Sequence, residues 1–203
     1  RPAWRRAPRL GASKTSESAK PLTVGFYVSW DEASRASLRA NISRLDVVAP
    51  QWVQLKGATG DVVVTEDAQA VARIAAAPNH PAVLPLVHNS ADGSFNGREG
   101  DRLLASPAAR SALIARLVAL ARTRGYGGYV LDLEDLSEAS LRVYPSFVAQ
   151  VRAALRPMGR EVWVTAPFDG EGWPLRALQR ASDTLVLMAY DEHYGRGDPG
   201  PNA

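Results

Sequence analysis

The 203-residue chain contains no cysteine, which excludes a disulfide framework, a thiol nucleophile and a thiolate metal site. Its three histidines, His80, His88 and His193, fall on separate segments, so no pair has the close spacing of metal ligands and no metal is expected. No run approaches the about 18 consecutive apolar residues of a membrane span, and the N-terminal segment carries charge without the apolar stretch of a signal peptide. Neither a GxGxxG nor a Walker sequence follows any strand-like run, so nucleotide binding has no support. Positive charge is also scarce where it would matter. Six Lys or Arg and one Glu lie in residues 1–20, which leaves 18 basic and 20 acidic residues for 21–203. Nucleic-acid binding needs a basic face, and the body of the chain is slightly acidic. Residues 1–20 therefore read as a basic flexible linker, and 21–203 as one domain.

What the sequence does have is alternation. The 46% hydrophobic and 22% charged content suits a packed soluble core, and from Pro21 onward short β-branched or aromatic runs alternate with segments of helical periodicity. Six runs predict strands: 23–30, 47–55, 82–88, 128–134, 161–168 and 184–190. Five segments predict helices. The strongest is 107–124, where Ser106 can cap, Pro107 occupies the first helical position and Gly125 stops the helix. Segment 138–155 comes next, with Pro145 in its middle, and 32–45, 66–77 and 174–181 are shorter. Repeated βα order implies parallel strands with right-handed crossovers, in either an open doubly wound sheet or a (β/α)8 barrel. In both, ligands gather at the C-terminal ends of the strands.

That is where the unusual residues fall. In "YGGYVLDLED", residues 126–135, period-two alternation puts Val130, Asp132 and Glu134 on one side of a strand and Leu131 and Leu133 on the other. Two carboxyls this close in an apolar funnel resist carrying two charges, so one of them should hold a proton, as a general acid must. The plainer reading makes Glu134 and Asp135 the start of a solvated loop, with Ser137 capping the next helix. A second strand end, in "LVLMAYDEHYG" (185–195), puts Met188 and Tyr190 on a common face and Asp191 just beyond, so two strand ends converge on one rim. Trp30, Trp52 and Trp173 lie near strand ends, where a flat ring can stack on a sugar or simply pack, and Trp30 is the best placed of the three. Tyr27 on the first strand is a candidate pocket residue, and Trp163 reads as core. Asn89 and Asp92 have the location of substrate-contacting loop residues, although "HNSADGSFNG" also reads as a turn.

On these residues the chain resembles glycoside hydrolase family 18, the chitinase-like family. Of the DxxDxDxE pattern the chain keeps Asp132 and Glu134, while Gly127 and Val130 stand in place of the first two acids. The Met-x-Tyr-Asp pattern is matched by Met188, Tyr190 and Asp191. The stretches "VGFYVSWDEAS", "LDVVAPQWVQL" and "MAYDEHYGRGDPGPNA" are similar to a bacterial branch that includes spore-cortex lytic enzymes and domains fused to polysaccharide deacetylases and membrane glycosyltransferases. The resemblance implies a TIM-type barrel and substrate-assisted, retaining hydrolysis of chitin-like or peptidoglycan-like glycans, without cofactor or metal. Glu134 would protonate the leaving oxygen, Asp132 would orient the acetamido nitrogen, Tyr190 would hydrogen-bond the acetamido group, and Asp191 would line the same subsite. It also implies an extracytoplasmic setting, secreted or membrane-tethered through flanking segments. In the family the acid at the position of Val130 shares a proton with the one at Asp132, a role that valine cannot fill. Because a full barrel has eight βα units in about 250 residues, six strands lead us to expect a barrel lacking two units and a polypeptide that continues past Ala203.

Overall fold

A computed structural model of the chain describes residues 21–91 and 93–190. Its elements succeed one another as β1 (Val24–Tyr27), α1 (Glu32–Asn41), β2 (Val47–Pro50), β3 (Val53–Lys56), β4 (Asp61–Val64), α2 (Ala68–Ala76), β5 (Ala82–Val83), β6 (Leu86–His88), β7 (Ser90–Ala91) and β8 (Ser94–Phe95). Then come α3 (Gly97–Ala105), α4 (Pro107–Arg124), β9 (Gly128–Asp132), α5 (Glu138–Leu155), β10 (Glu161–Pro167), α6 (Leu175–Ala181) and β11 (Thr184–Met188).

All six expected strands form, two of them in two pieces. The second breaks at Gln51–Trp52 and the third at Leu84–Pro85, where proline has no N–H to give to a ladder. β1 pairs with β2 and β2 with β5; β3 pairs with β6, β6 with β9, β9 with β10 and β10 with β11, every pair parallel. The wall is therefore six consecutive staves of a TIM-type barrel, and the open doubly wound alternative is set aside. Antiparallel hairpins β3–β4 and β7–β8 rise from the second and third staves.

Alternation along the staves divides the apolar residues into two clusters. Val47, Ala49, Ala82, Leu84, Leu86, Val130 and Trp163 fill the barrel interior, with Val24 and Val186 beside them. Tyr129, Leu131, Leu133, Val162 and Val164 point outward against Leu113, Leu117, Tyr144, Phe147 and Val151 of the helices. Burying a large apolar side chain contributes about 1.5–3 kcal/mol. The five large apolar side chains on α5 that are fully buried (Tyr144, Phe147, Val148, Val151, Leu155) therefore outweigh the roughly 3 kcal/mol that Pro145 costs inside that helix.

The helix boundaries are set by capping. Ser106 accepts a hydrogen bond from the Ala109 amide, and Gly125 ends α4 in the left-handed conformation at φ 78°. Asp31, Asp67 and Ser137 cap α1, α2 and α5 in the same way. One helix was not expected. α3 reads "GREGDRLLA", and its two glycines lower helix propensity by about 1 kcal/mol each. They are there because the helix lies against the loop after β9. A Cβ on Gly97 would stand 1.9 Å from the Asp135 carbonyl oxygen.

Candidate active site

The strand ladder of β9 stops at Asp132, so Glu134 stands two residues beyond regular strand rather than within it. Both acids nevertheless line one cavity of about 390 Å³ at the C-terminal ends of the staves, together with Phe26, Gln51, Phe95 and Tyr190. The expected inward pair is present, and Val130 sits one layer below it, fully buried among the apolar residues of the barrel.

Asp132 is 6% exposed. Burial pushes its proton affinity above the ordinary aspartate range, and a hydrogen bond from the Thr165 hydroxyl, 2.7 Å from Oδ1, works against that push. Thr165 comes from the neighbouring strand β10 and also contacts the Leu131 carbonyl at 3.2 Å. Asp132, the buried member of the pair, thus holds its proton more tightly than an ordinary aspartate does. Beside it, the register places His88 opposite Asp132 and Gln54 opposite His88. Ser90 Oγ lies 2.7 Å from His88 Nδ1 and accepts from Gln51 Nε2 at 2.8 Å. Burial lowers the His88 pKa to about 4, so the ring is neutral at physiological pH and the cluster is uncharged.

A second cavity of about 590 Å³ adjoins the first, sharing Gln51 and Phe95 and bordered by His88, Ser90 and Trp30. Trp30 is 70% exposed there, an open aromatic face at the rim. Tyr190 is similarly exposed at 72%. Trp52 and Trp163 are core residues, and Trp173 packs edge-on against Tyr144 with ring centroids 6.3 Å apart.

Two expectations require correction, those for Asn89 and Met188, and the placement of Tyr27 needs a distinction. Tyr27 borders the acid-bearing cavity, but its hydroxyl points away to the helix side, where it donates to Asp67 Oδ2 at 2.5 Å; burial and that contact push its pKa up to about 12. The side chain of Phe26, its neighbour, faces the same cavity, because Val24 points inward and residues two apart share a face. Asn89 is no substrate contact. It is fully buried, and its amide is bonded to the Glu134 main chain. Met188, half-buried opposite Pro167, does not border the acid-bearing cavity. Asp92, Asp191 and His193 lie outside the described residues. Among the described residues no group of three or more His, Asp or Glu side chains is placed to hold a metal ion.

Sequence reading also missed Phe26, Gln51, Phe95 and Thr165. Alternation could have found Phe26 and Thr165 once the inward phase of each strand was known. Gln51 sits at a break in its stave and Phe95 on an unexpected hairpin, so neither had a periodic signal.

No family model matches the chain. It is 28% identical to the sporulation-specific glycosylase YdhD of Bacillus subtilis over 127 residues, 59% of this chain and 30% of that protein. The crystal structure of a chitinase from Chromobacterium violaceum superposes with a TM-score of 0.78 at 24% identity, over 90% of this chain and 60% of the chitinase. The Bacillus cereus spore cortex-lytic enzyme SleL gives a TM-score of 0.77 at 18% identity, over 89% of this chain and 43% of SleL. The chain thus spans less than two thirds of each of these proteins. In its barrel it is similar to the chitinases and spore cortex-lytic enzymes of glycoside hydrolase family 18.

Proposed function

We propose that the chain is a glycoside hydrolase that cleaves β-1,4 bonds of N-acetylglucosamine-containing glycans, of chitin or peptidoglycan type, in an extracytoplasmic setting. The observation that carries this reading is the opening of Asp132 and Glu134 into one cavity at the barrel rim, above an apolar interior. Its likeness to a glycosylase and a chitinase supports it.

In the proposed reaction Glu134 gives its proton to the glycosidic oxygen as the bond from that oxygen to the anomeric carbon breaks. The carbonyl oxygen of the sugar's own 2-acetamido group closes on the anomeric carbon from the other face, forming an oxazolinium ring. Asp132 faces the acetamido N–H and stabilises the positive charge, and the Tyr190 hydroxyl hydrogen-bonds the acetamido group. Water then adds to the anomeric carbon as the bond from that carbon to the acetamido oxygen breaks, and gives a proton back to Glu134, so the acetamido group is restored and the configuration is retained. Thr165 matters here because its hydrogen bond favours the ionised form of Asp132 that the oxazolinium needs.

A second reading is favoured by one specific feature. Val130 gives Asp132 no acid partner from within its own strand, which suits a domain that binds glycan without turning it over. Cleavage of chitin oligomers and peptidoglycan by the wild type and by Glu134→Gln separates the two. The hydrolase reading expects the variant to lose about 10²–10⁴-fold in rate. Retained binding with no cleavage by either protein would leave the binding-domain reading.

A further inference from the structure

Glu134 lies past the last ladder pair of β9, yet its main chain is held as firmly as a strand's. Asn89, the residue after β6, is fully buried, and its side-chain amide reaches across to Glu134. Oδ1 accepts from the Glu134 N–H at 3.0 Å, and Nδ2 donates to the Glu134 carbonyl oxygen at 2.9 Å. These are the two bonds a neighbouring strand would make, so a side chain continues the β6–β9 ladder beyond its last pair, His88 with Asp132. The same Nδ2 also donates to the carbonyl oxygen of Asn96 at 3.0 Å, and the Asn96 N–H donates to the Asn89 carbonyl at 2.9 Å. Asn96 is the N-cap of α3, so the start of that helix is tied to the same residue.

The helix then grips the residues just past Glu134. Asp135 has φ 55°, a left-handed conformation that costs a non-glycine residue of order 1 kcal/mol and persists only when its surroundings enforce it. Its carbonyl lies against Gly97. Gly100 makes room for Leu136, whose Cδ2 would be 2.6 Å from a Cβ at that position. Asp101 Oδ1 accepts from both the amide and the hydroxyl of Ser137 at 2.9 Å. Four successive residues after the strand are thus fixed from one side.

We infer that Asn89 and helix α3 form a main-chain clamp that sets the location of the Glu134 carboxyl, which makes Asn89 a positioning residue for the proton donor. The inference rests on the proposed hydrolase reading for what Glu134 does. A proton donor works only within hydrogen-bond reach of the leaving oxygen, and a displacement of about 1 Å costs on the order of 10²-fold.

Two variants loosen the clamp from opposite sides. Asn89→Ser removes the bidentate amide. Gly97→Ala leaves Asn89 in place and, from a half-buried position, pushes on the Asp135 carbonyl. Each is assayed on an N-acetylglucosamine oligomer, whose departing hydroxyl needs a proton, and on 4-nitrophenyl N-acetylglucosaminide, whose phenolate leaves without one. We expect kcat/KM on the oligomer to fall roughly 10–100-fold, and kcat/KM on the aryl substrate, which reports only the bond-breaking step and not the later work of Glu134 as base, to stay within about threefold for both variants. Equal losses on both substrates, or no loss on either, would overturn the inference. Amide hydrogen exchange is measured on the same proteins. Exchange at Glu134 should quicken at least about tenfold in Asn89→Ser while Val130 stays protected, and an unchanged Glu134 amide also overturns the clamp. Should the wild type cleave neither substrate, the hydrolase reading fails, and the exchange measurement still decides whether the clamp exists.

Discussion

Asp132 and Glu134 are two residues apart and open into the same cavity, but the protein holds them by different means. Asp132 is the last residue of its strand, buried, with its carboxyl fixed by the hydroxyl of Thr165 from the next stave. Glu134 is beyond the ladder and half-buried, and it is its main chain that is fixed, by the amide of Asn89. In the first case burial and a side-chain bond set how tightly a proton is held. In the second, backbone placement sets where a carboxyl can reach. A barrel rim can in this way give neighbouring acids separate tasks without separating them in sequence.

The largest test of that contrast changes Asp132 to its amide. Asp132→Asn should lower cleavage about 10²-fold or more, the scale of losing one preorganised electrostatic group, and yet raise thermal stability near neutral pH. The sign is set by the upward shift. Because the folded chain holds the Asp132 proton more tightly than the unfolded chain does, stability from this group is greatest below the ordinary aspartate range, about 3.9, and declines as pH rises through the folded value. An amide, which cannot ionise, escapes that decline. Melting curves of the variant and the wild type should therefore converge at acid pH and separate toward neutrality, with the variant higher. A variant that melts below the wild type at neutral pH would show that the carboxylate is not held under desolvation strain.

A smaller effect is expected at Thr165. Its hydroxyl stabilises the ionised form of Asp132, and a hydrogen bond to a charged group contributes about 1.5–3 kcal/mol. Thr165→Val should slow cleavage on the order of tenfold and move the acidic limb of the pH–rate profile upward, since Asp132 then needs a higher pH to ionise. Thr165→Ser keeps the hydroxyl and should return the limb to its original place. If the limb stays put in the valine variant, the bond does not couple to the reaction.

How much of this could be read from sequence differs from residue to residue. On β9 the alternation of Val130 and Asp132 against Leu131 and Leu133 was sufficient, because a period of two is a property of the backbone and needs no neighbour. The ends of α4 were legible for the same reason: Ser106, Pro107 and Gly125 act within one turn of themselves. The role of Asn89 was not, because its partners are 45 residues away in sequence at Glu134, and an asparagine after a strand carries the same local signal whether it turns the chain or clamps a distant loop. Helix α3 was hidden by the two glycines that let it approach that loop. Propensity and packing conflict there, and packing prevails.

β1 provides the smallest contrast, between two adjacent aromatics facing opposite ways. Tyr27 is bound to Asp67 on the helix side, and Asp67 also caps α2 through the amides of Gln69 and Ala70. Phe26, 49% exposed, borders the acid-bearing cavity. Tyr27→Phe deletes one hydrogen bond and should cost about 0.5–1.5 kcal/mol of stability with KM and kcat for oligomers unchanged. Phe26→Ala should leave the Asp67 cluster and its contribution to stability intact and instead weaken oligomer binding several-fold, by about 1 kcal/mol, the scale of a lost aromatic contact. Melting temperature and KM, measured on both variants, check the assignment. The reverse pattern, a KM change in Tyr27→Phe and none in Phe26→Ala, would mean that the first stave presents its other face to the substrate.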